Sequence, residues 1–160
     1  MRTQKQKQRL NNRRAAVAVE FAVVAPMLLA IIVGLIELTR AYDAQNLLQT
    51  ATREGARFAA MDRTDMLQEG ESANSKLIAD VTNFLVSSGL PADSIQVSVV
   101  DADDPTQPFD LDDPANDLQL FQVEISVPFS AVSYTPVSEA YDYMLTAAIT
   151  FRNGRATLSQ

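Results

Sequence analysis

The chain has 160 residues, with 13 Lys and Arg against 20 Asp and Glu and a formal net charge of −7. It contains no His, no Cys and no Trp. Absent cysteine excludes disulfide scaffolds, thiolate metal sites and cysteine nucleophiles, and absent histidine removes the usual general base and the commonest metal ligand. The length accommodates one membrane segment and one small domain.

Charge is polarised along the chain. Residues 1–14 carry Arg2, Lys5, Lys7, Arg9, Arg13 and Arg14 without an acid, a tail of +6, so residues 15–160 total −13. Residues 15–36 follow, AAVAVEFAVVAPMLLAIIVGLI, with Glu20 their one ionisable side chain. Twenty-two residues at ~1.5 Å each give about 33 Å, enough to cross a hydrocarbon core of about 30 Å. Basic residues before the run, and Glu37 and Asp43 after it, place the N-terminus in the cytoplasm. Tyr42 suits the far interface. A cleaved secretory signal is the competing reading, but its apolar region is shorter and free of carboxylates. The basic tail is short, lacks aromatics and abuts the span, so lipid headgroups account for it and no nucleic-acid partner is expected. Pro26 removes one backbone hydrogen bond inside the helix and predicts a kink there.

A carboxylate in hydrocarbon costs roughly 2.5–3.5 kcal/mol at the bilayer centre and is a functional-site hypothesis by default. The bland alternative is a carboxyl that protonates or reaches the headgroups. The sharper one needs a cation at the same depth. A cut between Ala15 and Ala16 would create an α-amine at Ala16, one turn before Glu20 on the same helix face. That amine, from the same chain or a neighbour, would pair with the carboxylate and set the axial register between packed subunits.

Helical periodicity continues to about Ala60. Ala41, Ala44, Leu48, Ala51, Gly55, Phe58 and Ala59 form a narrow stripe of mostly small residues that faces the chain's own outer domain, neighbouring subunits, or both along its length. Arg53 and Arg57 are an i, i+4 like-charge pair, so an acid is expected opposite them, in the outer domain or on a partner; the alternative is two solvated arginines. The organisation expected is therefore a basic leader at 1–14, a transmembrane helix at 15–36, its outer continuation at 37–60 and an extracytoplasmic α+β domain at 61–160.

Within that domain residues 62–72 read as an acidic loop. An amphipathic helix is expected from Ser72 to Ser88, with Gly89 as its C′ residue and Pro91 close behind. Alternation marks a strand over Ile95, Val97 and Val99, a second from Leu118 to Phe129 and a third from Met144 to Arg152. Residues 128–142 read as a loop with room for one short helix. Three strands with short connections suggest an antiparallel sheet. Residues 101–117 hold seven aspartates and three prolines without a base. Calcium suits such oxygens, with Asp101, Asp103, Asp110 and Asp112 as candidate ligands, but the spacing lacks the third ligand and glycine of an EF-hand. A solvated charged loop is the other reading.

The run Arg13-Arg14-Ala15-Ala16-Val17-Ala18-Val19-Glu20-Phe21, with Ala25-Pro26 and Leu35-Ile36-Glu37, resembles the start of TadE-like pseudopilins of the tight-adherence (Tad/Flp) pilus system. Ala44-Gln45-Asn46 and Ala51 to Ala60 are similar to that family's most recognisable segment. The resemblance covers about residues 13–60. It implies a pilin-like protein of the bacterial inner membrane, its C-terminal domain extracytoplasmic, that takes part in assembling thin adhesive pili with other pilins or pseudopilins and the assembly machinery. It also implies cutting by a prepilin peptidase between Ala15 and Ala16, with Glu20 and Phe21 as the fifth and sixth mature residues. The family prefers Gly before the cut, where this chain has Ala15. A sheet covering the outer part of the long helix is the pilin-like shape the resemblance implies. No cofactor and no catalysis are implied. Beside the pilus reading stands a membrane-tethered binding or adhesion domain that enters no filament. An envelope enzyme is disfavoured, because no phosphate loop, no Gly-x-Ser-x-Gly element and no singled-out carboxylate pair appears.

Overall fold

The computed structural model describes residues 2–61, 67, 70–134 and 143–154, with residues 2–14 as backbone only. The fold is α+β: helix α1 (Arg2–Ala60), helix α2 (Ala73–Ser87), then strands β1 (Gln96–Asp101), β2 (Leu120–Pro128) and β3 (Met144–Arg152), with single 3-10 turns at Ala92–Ser94, Pro114–Asn116 and Phe129–Ala131. The chain forms two compact units, Met1–Thr39 and Arg40–Gln160.

The first unit is helix throughout its described length, and the helix passes through Pro26. Near its end the Thr39 hydroxyl donates back to the Leu35 carbonyl at 2.9 Å, so its polar group is satisfied locally.

In the second unit, α1 from Arg40 onward turns Ala44, Leu48, Ala51, Thr52, Gly55, Ala56 and Ala59 into the core. These recur at three- and four-residue steps, one face of a helix. Thr52 is tolerated there because its hydroxyl donates to the Leu48 carbonyl at 2.6 Å. Small residues along this face let α2 come close. At Gly55 an added Cβ would lie 2.9 Å from Val81 Cγ2.

Helix α2 starts where Ser72 accepts the Ser75 N–H at 3.1 Å and where Asp112, from the acidic loop, accepts the Ala73 N–H at 2.7 Å. It stops in a Schellman motif. The Gly89 N–H donates to Val86 O, the Leu90 N–H donates to Leu85 O, and Gly89 takes φ +98, open to it because it lacks a Cβ. Ala73, Leu77, Val81 and Leu85, four residues apart, are its buried side.

The sheet is antiparallel in the order β1-β2-β3. Its register pairs Val99 with Val123 and Val123 with Ile149. Along β2, Phe121, Val123, Ile125 and Val127 are buried and the residues between them half-buried, the period-two pattern of a strand with one face on a core. Leu145 and Ala147 extend that face on β3.

Strand β1 begins at Gln96, one residue after Ile95, and β2 differs from the sequence expectation at both ends. Strand β2 begins at Leu120, not Leu118, because Asp117 and Leu118 form a tight turn closed by the Gln119 N–H on Asn116 O at 3.1 Å. It ends at Pro128 because Phe129 opens a 3-10 turn. The rest of the loop expected at 128–142, and most of that at 62–72, lies outside the described residues. Asp117 at φ −58, ψ 131 and Leu118 at φ 62 make the turn type II, which places a leucine where glycine is preferred. Leu118 is about half exposed, so its side chain contributes little burial. Leu118→Gly relieves about 1–2 kcal/mol of left-handed strain and gives back part of it through greater freedom of the unfolded chain. A net stabilisation of roughly 0.5–1 kcal/mol is expected, read as a higher urea midpoint of the detergent-solubilised chain.

Candidate functional site, an unburied apolar helix with one carboxylate

From Ala15 to Thr39 the side chains of α1 are almost all exposed. Val17 is 62 %, Phe21 70 %, Met27 65 % and Ile31 60 % open, and successive residues on every side of the helix show the same exposure. A core helix of a soluble protein is shielded along its apolar face, and an amphipathic surface helix has a polar one. This helix has neither, and it is long and apolar enough to cross a membrane. Water does not tolerate an apolar surface of this extent; lipid, or other apolar helices, must surround it.

Glu20 is the single ionisable side chain between Arg14 and Glu37, and it is exposed on this helix. No base occurs in the sequence between Arg14 and Arg40, so within the apolar run the chain offers the carboxylate no cationic side chain. Ala16 is one turn earlier on the same face, with Cβ atoms about 5–6 Å apart by helix geometry, and Phe21 adjoins. Pro26 takes away the N–H that the Ala22 carbonyl would accept from, a further polar group seeking a partner at membrane depth.

Arg53 and Arg57 are both exposed on α1 and have different neighbours. Arg57 is 3.3 Å from Glu54, one turn earlier on α1 itself, and both side chains are about 60 % exposed, a pair of small energetic weight. Arg53 instead borders a polar cleft of about 300 Å³ between α1 and β3, with Gln45, Gln49 and Thr146. Among the described residues it forms no ion pair.

The structure does not gather the four calcium candidates into a site. Among the described residues no three carboxylates converge. Three of the four instead support the loop: Asp101 accepts the N–H of Asp103 at 2.7 Å and of Asp104 at 3.0 Å, Asp110 accepts that of Asp112, and Asp112 caps α2, while the Asp103 side chain is exposed. The Thr106 hydroxyl, 2.6 Å from Asp104, together with the Thr106 N–H, holds the Asp104 carboxyl below the usual carboxylate range.

Nor is the loop a merely solvated one. Phe109 stacks on Phe121 at 5.6 Å, Leu111 is fully buried, and the Phe109 N–H donates to Val99 O along the edge of β1. Asn74 of α2 clamps this return with two bonds, donating to Phe109 O at 2.7 Å and accepting the Leu111 N–H at 2.9 Å. Buried Asn153 donates to Leu111 O and Asn116 O. Sequence reading passed over Asn74, Asn153 and Gly154. The available signals were the buried-type spacing of Phe109 and Leu111 and the Asn-Gly pair directly after a strand.

Residues 15–57 match the family model described as TadE-like protein, the same family the motifs resemble, and the match covers the apolar helix with Glu20 and the stretch of α1 that packs on α2. No curated protein and no solved structure matches the chain.

Proposed function

We propose that this chain is a minor pilin-like (pseudopilin) protein of tight-adherence pilus assembly, structural and not catalytic, anchored in the inner membrane with its N-terminus in the cytoplasm. The observation that supports it most is the almost entirely unburied apolar stretch of α1 at residues 15–36, which lies within the match to the TadE-like family and carries one carboxylate and no base. Prepilin peptidase cuts between Ala15 and Ala16, leaving an α-amine one turn from Glu20. Paired with that carboxylate across or within subunits, the amine removes the cost of an isolated charge in lipid and favours one register of docking. Phe21 beside it supplies the apolar contact area of the docked helix. The partners on this reading are other pilins or pseudopilins and the assembly machinery.

Intact-mass measurement of the protein extracted from its native membrane tests the first step: the mature chain is expected to begin at Ala16. Glu20→Ala is expected to abolish its function in piliation, and Glu20→Gln to do likewise, because the amine then lacks an anion. A chain that retains residues 1–15 and tolerates both substitutions would instead be a tethered binding or adhesion domain.

A further inference from the structure

We propose that the domain formed by residues 40–160 rests on the phospholipid headgroup layer through an arginine–tyrosine rim at one of its ends, made by Arg40, Tyr42, Tyr134, Tyr143 and Met144. The proposal rests on reading the apolar helix as a membrane anchor. Two hydrogen bonds define that end. The Gln45 side chain donates to Thr146 O at 2.8 Å, and the Gly154 N–H donates to Ala59 O at 3.3 Å. Strand β3 therefore runs in the same direction as this part of α1, and its first residues lie at the Arg40 end. Tyr143 joins the same end by stacking on Phe129, ring centroids 4.9 Å apart, and Phe129 opens the turn that leads to Tyr134. Tyr134 in turn lies against the Arg40 guanidinium, 4.0 Å from ring centroid to carbon.

The rim is out of keeping with a water-facing surface. Tyr42 is 64 %, Tyr134 70 %, Tyr143 50 % and Met144 47 % exposed. The three tyrosines among the described residues all stand at this end, whereas Phe109, Phe121 and Phe129 are buried. Tyrosine is the side chain that favours a membrane interface, with its ring toward the acyl chains and its hydroxyl toward water. Chain length supplies the reach: Arg40 follows Leu38, an exposed aliphatic residue just beyond the run, by two residues, a separation of at most about 7 Å. The headgroup layer is thus within reach of the rim. Beside Arg40 a cleft of about 250 Å³ is lined by Asp43 and Ser133 as well as Leu47 and Leu90. One cation and one anion at its edge suit a zwitterionic headgroup, phosphate toward Arg40 and ammonium toward Asp43.

The absence of tryptophan makes the test clean. The full chain with Tyr134→Trp is reconstituted into phosphatidylcholine–phosphatidylethanolamine vesicles, with and without a lipid bearing a nitroxide on its headgroup. Leu118→Trp, at the opposite end of the sheet, is the comparison. The nitroxide lipid is expected to reduce emission roughly twofold at position 134 and to leave position 118 unchanged. Adding Arg40→Gln to the first variant is expected to weaken the quenching. Tyr143→Trp, expected to be quenched likewise, answers the question if the first variant misfolds. Vesicle flotation is run in parallel. Protein that floats with no quenching at 134 or 143 overturns the rim alone, and protein that fails to float overturns the membrane anchor with it. Shielding of position 134 that appears only at high protein-to-lipid ratio overturns the proposal in favour of contact between copies of the chain.

Discussion

Phe121→Ala is expected to cost the domain about 3–5 kcal/mol, the range for truncating a buried aromatic that leaves a cavity. Phe121 is fully buried on the central strand, where its ring lies 5.6 Å from that of Phe109. The loss therefore reaches beyond the sheet. Phe109 and Leu111 attach the acidic loop to the core, and that loop supplies Asp112 to the start of α2. Urea unfolding of the detergent-solubilised chain, followed through the near-ultraviolet signal of its tyrosines, measures the change. Comparing Phe109→Ala, Phe121→Ala and the double variant isolates the ring–ring contact, expected at about 0.5–1.5 kcal/mol. A fully additive pair would show that the loop is attached by its backbone bonds and by Asn74, not by the stacked rings. Asp103→Asn, whose side chain is exposed on the same loop, is expected to stay within about 0.5 kcal/mol of the parent.

Gly154→Ala is the second large effect, about 1–3 kcal/mol of destabilisation. An added Cβ would lie 2.7 Å from Met61 O and 3.0 Å from Ala60 O. These are backbone atoms at the end of α1, so neither can rotate aside as a side-chain tip does. Relief requires the segment after β3 to withdraw, which lengthens the bond from the Gly154 N–H to Ala59 O. Buried Asn153, adjacent, loses its alignment on Leu111 O and Asn116 O in the same movement. Gly55→Ala is the informative contrast. The clash there is with Val81 Cγ2, a side-chain atom bordering a cleft between α1 and α2, and alanine brings about 1 kcal/mol of helix propensity in compensation. A small net change is expected at position 55 and a large one at position 154, both read as urea midpoints.

Much of the architecture was legible because its signals are local. A 22-residue apolar run is a membrane-length helix whatever follows it, and period-two alternation from Leu120 to Val127 is a strand with one face on a core. Serine before α2 and glycine after it mark the ends, since capping depends on side chains within a few residues. The acidic loop was less legible. Seven aspartates dominate its composition, yet two apolar residues decide its conformation once β1 and α2 are in place to receive them. Asn74 is equally silent in sequence, because its role consists of two backbone groups more than thirty residues away.

The candidate site divides along the same line. An acid isolated within an apolar helix needs no partner coordinates to be recognised, because its cost follows from the lipid solvent alone. The arginines required the fold: Arg57 turns to Glu54 one helical turn away, while Arg53 faces β3, and only packing assigns two residues of one helix to different neighbours. Sequence by itself determined the elements, their chain order and a first helix long and apolar enough to cross a membrane, all properties of short stretches of chain. Tertiary structure decided which end of β3 meets Arg40, how the acidic loop is seated and where glycine is indispensable, since each depends on groups distant in sequence brought within a few ångströms.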